Sequence, residues 1–122
     1  MEIEGRLLNF ERNEKLGYEF TKDCKIDIPD VVPIINCFDT SGPNAVIVIG
    51  HAIVSRDENG LSISGTILNE SLPLDTGIGG YFTNLKIEKD GDVNIVTDCK
   101  LRGVGITNRP VSPDNYWRKK ND

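Results

Sequence analysis

The fold is indicated most clearly by residues 52–67, which read AIVSRDENGLSISGTI. Apolar and polar side chains alternate around Asn59-Gly60, and alternation with a period of two is typical of a strand with one buried face. Asn and Gly tolerate the positive φ that a tight hairpin turn requires. The stretch therefore predicts two antiparallel strands joined at Asn59-Gly60.

The same pattern recurs in residues 85–97, LKIEKDGDVNIVT, with a turn through Lys89-Asp90-Gly91-Asp92. Side chains that alternate along two paired strands face the same side of the hairpin. The pattern therefore predicts that one face carries four apolar side chains: Leu85, Ile87, Val93 and Ile95.

Two further apolar runs complete the strand pattern. Residues 45–49, AVIVI, have the β-branched character of a strand buried on both faces. Residues 31–38 contain Pro33, whose missing N–H predicts an edge strand or an extended connection. Because helical periodicity is almost absent, we expect an all-β fold with little helix, a small antiparallel β-barrel or sandwich. It would comprise one β domain over residues 1–113 and a polar, basic C-terminal tail over residues 114–122.

Length and charge narrow the class of function. The chain has 122 residues, enough for one domain with a real core. Its net charge is −5, from 19 acidic against 14 basic residues. Nucleic acids and anionic membranes both require a concentrated positive surface, so neither is an expected partner. The N-terminus lacks the basic start and apolar stretch of a secretory signal, and we expect a protein that is not secreted.

The cysteines and the single histidine limit the available chemistry. Cys24, Cys37 and Cys99 are odd in number and widely spaced, which predicts buried reduced thiols in a chain that is not secreted. Together with His51 they would supply four zinc ligands, but the scattered spacing disfavours a zinc site. We therefore predict no metal and no other cofactor.

His51 is the one side chain whose ordinary pKa suits proton transfer near neutral pH. As a general base it would need a Ser or Cys within hydrogen-bond reach and an orienting acid. Cys37, followed by Phe38 and Asp39 at a strand-to-loop junction, is the nucleophile candidate. The candidate catalytic set is thus His51, Cys37 and Asp39. The simpler interpretation is a partly buried histidine bonded to backbone at a strand end, and a buried thiol.

The order and spacing of five segments resemble the phage prohead proteases, the capsid maturation enzymes whose fold is shared with the herpesvirus assemblins. The resemblance covers most of residues 1–113 and implies a prohead-protease-like fold. It rests on a glycine-containing first strand, a valine-proline strand, an isoleucine-glycine element, a hairpin with an acidic turn and a closing strand. These are MEIEG (1–5), VPIIN (32–36), IGHA (49–52), DENGLSISG (57–65) and LRGVGITNRP (101–110).

The catalytic residues of that family have no counterparts here. The family's histidine follows the asparagine of the valine-proline segment, where this chain has Cys37. Its serine opens a later strand, and residues 81–85, YFTNL, contain none. Its acid near the last strand is replaced by residues 103–105, GVG. Losing the nucleophile or base of a triad costs about as much as losing all of it. The resemblance therefore implies a protease-like scaffold without protease chemistry.

Two functions follow as hypotheses. The first is a noncatalytic phage- or prophage-derived protein acting in capsid assembly or protein–protein interaction. It would work as a homo-oligomer or with other virion proteins, in the host cytoplasm or the virion. Its predicted contact residues could equally fill the core: Tyr81, Phe82, Tyr116 and Trp117. The alternative is a diverged serine or cysteine peptidase with catalytic groups rearranged around His51.

Overall fold

The computed structural model describes residues 1–10, 12–13, 18–36, 47–68, 77–107 and 115–120. Most of these residues form strands, and the all-β prediction is confirmed. Within these ranges there are nine strands: β1 (Glu2–Asn9), β2 (Arg12–Asn13), β3 (Tyr18–Asp27), β4 (Val32–Asn36), β5 (Ile47–Asp57), β6 (Gly60–Ile67), β7 (Gly77–Asp90), β8 (Val93–Thr107) and β9 (Tyr116–Lys119).

All nine strands belong to one mixed sheet. Its order is β2-β3-β8-β4-β5-β6-β1-β9, with β7 also paired to β8. The first half of β8 runs parallel to β3 and its second half parallel to β4, while β7 covers the opposite edge of β8. All other pairings, that of β7 with β8 included, are antiparallel. The expected antiparallel architecture is therefore corrected to a mixed one, because β3 and β4 run in the direction of β8.

The sheet is open and curls until β7 approaches β1 and β9. Its inner face forms one apolar core, and burying an aliphatic side chain fully contributes roughly 1.5–3 kcal/mol. The fully buried aliphatic side chains come from strands that are far apart in the sheet order, such as β1 and β7, and the curl closes around them. The largest are Ile3, Leu7, Ile34, Leu61, Ile67, Ile78, Leu101 and Ile106.

Both predicted hairpins are present, β5–β6 and β7–β8. In the second, however, Ile87 lies opposite Val96 and Glu88 lies opposite Ile95. Ile87 and Ile95 therefore occupy opposite faces, and the predicted four-residue apolar face is wrong. The turn comprises two residues, Gly91 and Asp92, and it pairs Asp90 with Val93. This register places Val93 and Ile95 on the face of Asp90 and Glu88 rather than on the face of Ile87.

β4 is an interior strand although it contains Pro33. Pro33 lies opposite His51 on β5, whereas the pairing of β4 with β8 begins only at Ile34. The residue without an N–H thus lies where β4 has a partner on one side only. The predicted edge strand is corrected accordingly.

The apolar run at residues 45–49 has one buried face rather than two, as far as the structure describes it. Val48 is 62% exposed, whereas Ile49 is 9% exposed. The expectation of a strand buried on both faces is corrected, because the outer side of β5 is left uncovered within one chain.

The segment expected as a tail, residues 114–122, contributes β9 to the sheet. β9 pairs antiparallel with β1, with Trp117 opposite Gly5. Trp117 is 3% exposed, and a Cβ on Gly5 would collide with the carbonyl oxygen of Tyr116. The boundary at residue 113 is therefore corrected, since burial of Trp117 anchors the strand.

The Asp57 side chain stabilises the turn between β5 and β6. Its carboxylate accepts hydrogen bonds from the backbone N–H groups of Asn59 and Gly60 at 2.7 and 2.9 Å. It also accepts two from the Arg6 guanidinium, at 2.8 and 3.2 Å. The hydrogen bonds from Arg6 and then from Asn59 hold the pKa of Asp57 at about 2, below its ordinary 3.8.

We expect Asp57→Asn to make the free energy of unfolding depend less on pH in the acid range. A carboxyl whose pKa is lowered by folding stabilises the protein fully above its unfolded pKa, and this contribution is lost as pH falls from about 4 toward 2. Urea denaturation should show a constant gap between wild type and variant at higher pH that closes over this window. Asp27→Asn is the control, since Asp27 pairs with Lys100 only at 3.9 Å. Parallel curves for wild type and Asp57→Asn would refute the role of Asp57.

Candidate functional site

The candidate catalytic residues are only partly described by the structure. Cys37 and Asp39 lie outside the described residues. His51 lies in the middle of β5 on the outer face of the sheet, opposite Pro33 on β4 and Thr66 on β6. Its side chain is exposed. The expected partly buried histidine at a strand end is therefore corrected, because His51 alternates with the buried Ala52 and points to solvent.

His51 borders a shallow groove of about 160 Å³ on this outer face. Ser64 and Thr66 also line the groove, and Glu2 and Lys120 lie at its side. Ser64 is two residue pairs along from His51, since it lies opposite Ile53, and it therefore shares the outer face. A nucleophile–base pair needs a hydrogen bond between its members. Among the described residues, no hydrogen bond joins His51 to the hydroxyl of Ser64 or Thr66.

Two other kinds of site are absent from the described part of the chain. Within it, no group of three or more His, Cys, Asp or Glu side chains is placed to hold a metal ion. No helix in the same ranges is long and apolar enough to cross a membrane.

The two described cysteines are buried, as predicted, and their thiols are free. Burial raises the pKa of Cys24, and burial together with the neighbouring Cys24 raises the pKa of Cys99 to about 12. Thiols with raised pKa values stay protonated at neutral pH, so neither is a ready nucleophile.

The outer face carries a second feature, an exposed apolar surface. We call it the apolar outer face and define it by Pro33, Ile35, Val48, Ile53 and Tyr81. Val48, Ile53 and Tyr81 are 62%, 58% and 59% exposed. Contiguous exposed apolar surface of this kind marks interaction sites in soluble proteins.

Strand register brings these residues to the same side of the sheet. Ile35 lies opposite Val48 on β5 and opposite Gly105 on β8. Gly105 in turn lies opposite Gly79 on β7. Residues paired directly across neighbouring strands share a face, so the surface runs from Val48 on β5 across β4 and β8 to β7. The exposed His51 lies between Val48 and Ile53 on β5.

Glycines form the floor of the apolar outer face on β7 and β8. Gly103 lies opposite Tyr81, and an added Cβ there would be 3.2 Å from the Pro33 carbonyl oxygen and 3.4 Å from Ile35 Cδ1. An added Cβ at Gly79 would meet no described atom within 4 Å. The surface therefore has open space beside the Tyr81 ring.

The four predicted interface residues divide into two exposed and two enclosed side chains. Tyr81 is 59% and Tyr116 48% exposed. Trp117 is buried, and Phe82 packs against the core with its ring centre 5.0 Å from that of Phe20. Of the four, only Tyr81 belongs to the apolar outer face, since Tyr116 lies on β9 beneath the Arg118 guanidinium. The apolar runs at residues 31–35 and 45–49 were the sequence signal for Pro33, Ile35 and Val48. Ile53 lies outside both runs.

Comparison with known proteins finds no relative. No family model matches the chain, no curated protein matches it, and no solved structure matches it.

Proposed function

We propose that the chain is a noncatalytic assembly protein that associates with copies of itself through the apolar outer face. The observation that carries this proposal is the continuity of that surface from β5 to β7, with Val48, Ile53 and Tyr81 each more than half exposed. Covering it in an oligomer would remove apolar area from water, which is the main driving force of association.

A second copy of the chain is the occupant that suits the shape of this surface. The Tyr81 ring stands next to open space over Gly79. A twofold axis through the face would set the Tyr81 ring of each copy over the glycines of the other. Such an isologous contact closes on itself. Tyrosine is common at such contacts because its large ring is buried while its hydroxyl still makes a hydrogen bond.

Pairing at the sheet edge is a less suitable route to association. β7 pairs only with β8 in the described ranges, and it has three register shifts and a φ of 56° at Asn84. It also carries Lys86 and Lys89. Bulges and lysines on an edge strand oppose pairing with another chain. We therefore assign the contact to the face of the sheet.

The resemblance to the prohead proteases supplies the setting of the proposal. We place the protein in the assembly of a phage or prophage particle, in the host cytoplasm or the virion. Its partners would be its own copies or other virion proteins. The family's histidine and serine positions are replaced at Cys37 and in residues 81–85, which is why we propose assembly rather than proteolysis.

Tyr81→Arg is expected to dissociate the oligomer. An arginine at the centre of an apolar contact would be buried without a partner, so the dissociation constant should rise at least about tenfold. Sedimentation velocity over a range of concentrations measures this. Tyr116→Arg is the matched control, since Tyr116 is similarly exposed but lies on β9. Dissociation by Tyr116→Arg but not by Tyr81→Arg would move the contact to β9 and overturn the proposal.

The alternative function, a peptidase rearranged around His51, has one observation in its favour. The groove places His51 beside Ser64 and Thr66. A peptidase of this kind would cleave itself slowly, and His51→Ala would abolish the cleavage. We expect instead that wild type and His51→Ala both keep their full mass over days, as measured by intact mass spectrometry. Fragments from the wild type alone would favour the peptidase.

A further inference from the structure

The imidazole of His51 has members of the apolar outer face on three sides. Val48 and Ile53 lie before and after it on β5, and all three side chains are exposed on the outer side of the sheet. Pro33 lies directly opposite His51 on β4. A layer that covers Val48 and Ile53 therefore also covers the imidazole between them.

The strands packed beside His51 offer it no acidic partner. Neither β4 nor β6 contains an Asp, Glu, Lys or Arg residue. On β5 the charged residues are Arg56 and Asp57, and both are bonded elsewhere. Arg56 donates to the carbonyl oxygens of Cys24 and Lys22, whereas Asp57 accepts hydrogen bonds from Arg6.

The acidic side chains on this side of the sheet lie on β1, one strand beyond β6. Glu2 is two strands away from His51, which corresponds to about 10 Å. Each carboxylate there also has a basic neighbour. Lys120 borders the same groove as Glu2, and Arg118 is bonded to Glu4 at 3.2 Å. A protonated His51 would therefore have no unpaired carboxylate beside it in the described part of the chain.

We propose that His51 is a pH switch for self-association: copies of the chain associate through the apolar outer face when His51 is neutral and separate when it is protonated. The inference rests on the proposed function, because it takes association through that face as given. In a twofold contact, both imidazoles would move from water into apolar surroundings. A charged group without a partner opposes such a transfer far more than a neutral one does. Association is therefore strongest at high pH and weakens as the pH falls.

The relevant pH range is one in which the fold itself keeps its charges. An imidazole ordinarily takes up its proton near pH 6.5, and His51 is the only histidine of the chain. Asp57, with a pKa of about 2, stays ionised throughout this range. Protonation of His51 makes the net charge of −5 less negative, which alone would favour association of like-charged copies. Weaker association at lower pH is thus the opposite of what net charge predicts.

The test measures the dissociation constant of the unmodified full chain by sedimentation velocity at about pH 7.5 and about pH 5.5. We expect a dimer at the higher pH and a dissociation constant at least about tenfold larger at the lower pH, since each dimer buries two histidines. Far-ultraviolet circular dichroism checks that the chain is folded at both. An equal or smaller dissociation constant at the lower pH would overturn the switch and leave the proposed function standing. A monomer at the higher pH would overturn both.

Two variants separate His51 from the N-terminal amino group, which is the other group that ordinarily gains a proton near this range. That amino group donates a hydrogen bond to the Ile67 carbonyl oxygen at 2.9 Å. His51→Leu is neutral at every pH and should give the same dissociation constant at both pH values. His51→Lys is charged at both and should weaken association at both. Because His51 is exposed, neither change disturbs the core. Full pH dependence in His51→Leu would overturn the proposal.

Discussion

Trp117→Ala is expected to lower the free energy of unfolding by about 3–5 kcal/mol. Trp117 belongs to the core and is 3% exposed, although it lies on the short strand β9. Truncation would remove a large buried surface and leave a cavity between β9 and the rest of the sheet. Small domains are stable by only about 5–15 kcal/mol, so this single change removes a substantial part of the total.

The measurement is urea denaturation followed by circular dichroism, because Trp117 is the only tryptophan and its fluorescence is lost with it. Tyr116→Ala is the control, since its side chain is 48% exposed. Truncation there should cost about 0.5 kcal/mol. Equal losses in the two variants would show that Trp117 does not anchor β9.

Gly60→Ala is expected to cost about 3 kcal/mol or more, from strain and overpacking together. The φ of Gly60 is 151°, which L side chains rarely adopt, and an added Cβ would collide with the carbonyl oxygen of Leu8. Gly60 lies opposite Asn9 on β1 and Asp57 on β5. It therefore cannot move away from Leu8 without disturbing both pairings.

Gly91→Ala separates the cost of a positive φ from the cost of a steric collision. Gly91 also has a positive φ, 63°, but an added Cβ would meet no described atom within 4 Å. Only the conformational cost of about 1–2 kcal/mol should remain. Chemical denaturation of both variants compares them directly. If both lose the same stability, the collision with Leu8 does not contribute.

The hairpins were predictable because their determinants are local. Asn59-Gly60 and Asp90-Gly91 supply turn chemistry within a few residues of the strands they join. The parallel pairings of β3 and β4 with β8 were not predictable in this way. They join segments far apart in the sequence. No local turn residue specifies which distant strand pairs with β8.

The apolar outer face was not predictable either, because it also depends on pairings between strands that are distant in the sequence. Val48 and Ile35 belong to apolar runs, and composition alone does not say which side of a strand another layer covers. Only register shows that these residues share a face with Tyr81. Trp117 was misjudged for the opposite reason: its basic neighbours suggested a tail, yet one buried side chain is enough to hold β9.

The candidate site was predictable only at single residues. Tyr81 was selected as an aromatic without an obvious core position, and it is exposed.

The native mass of the unmodified chain, at two concentrations at least about tenfold apart, tests self-association most directly. Light scattering coupled to size-exclusion chromatography gives this mass without assuming a shape. Association through the apolar outer face about a twofold axis predicts a discrete dimer, twice the chain mass of 13.5 kDa, at both concentrations. A monomer of 13.5 kDa at both concentrations would contradict it.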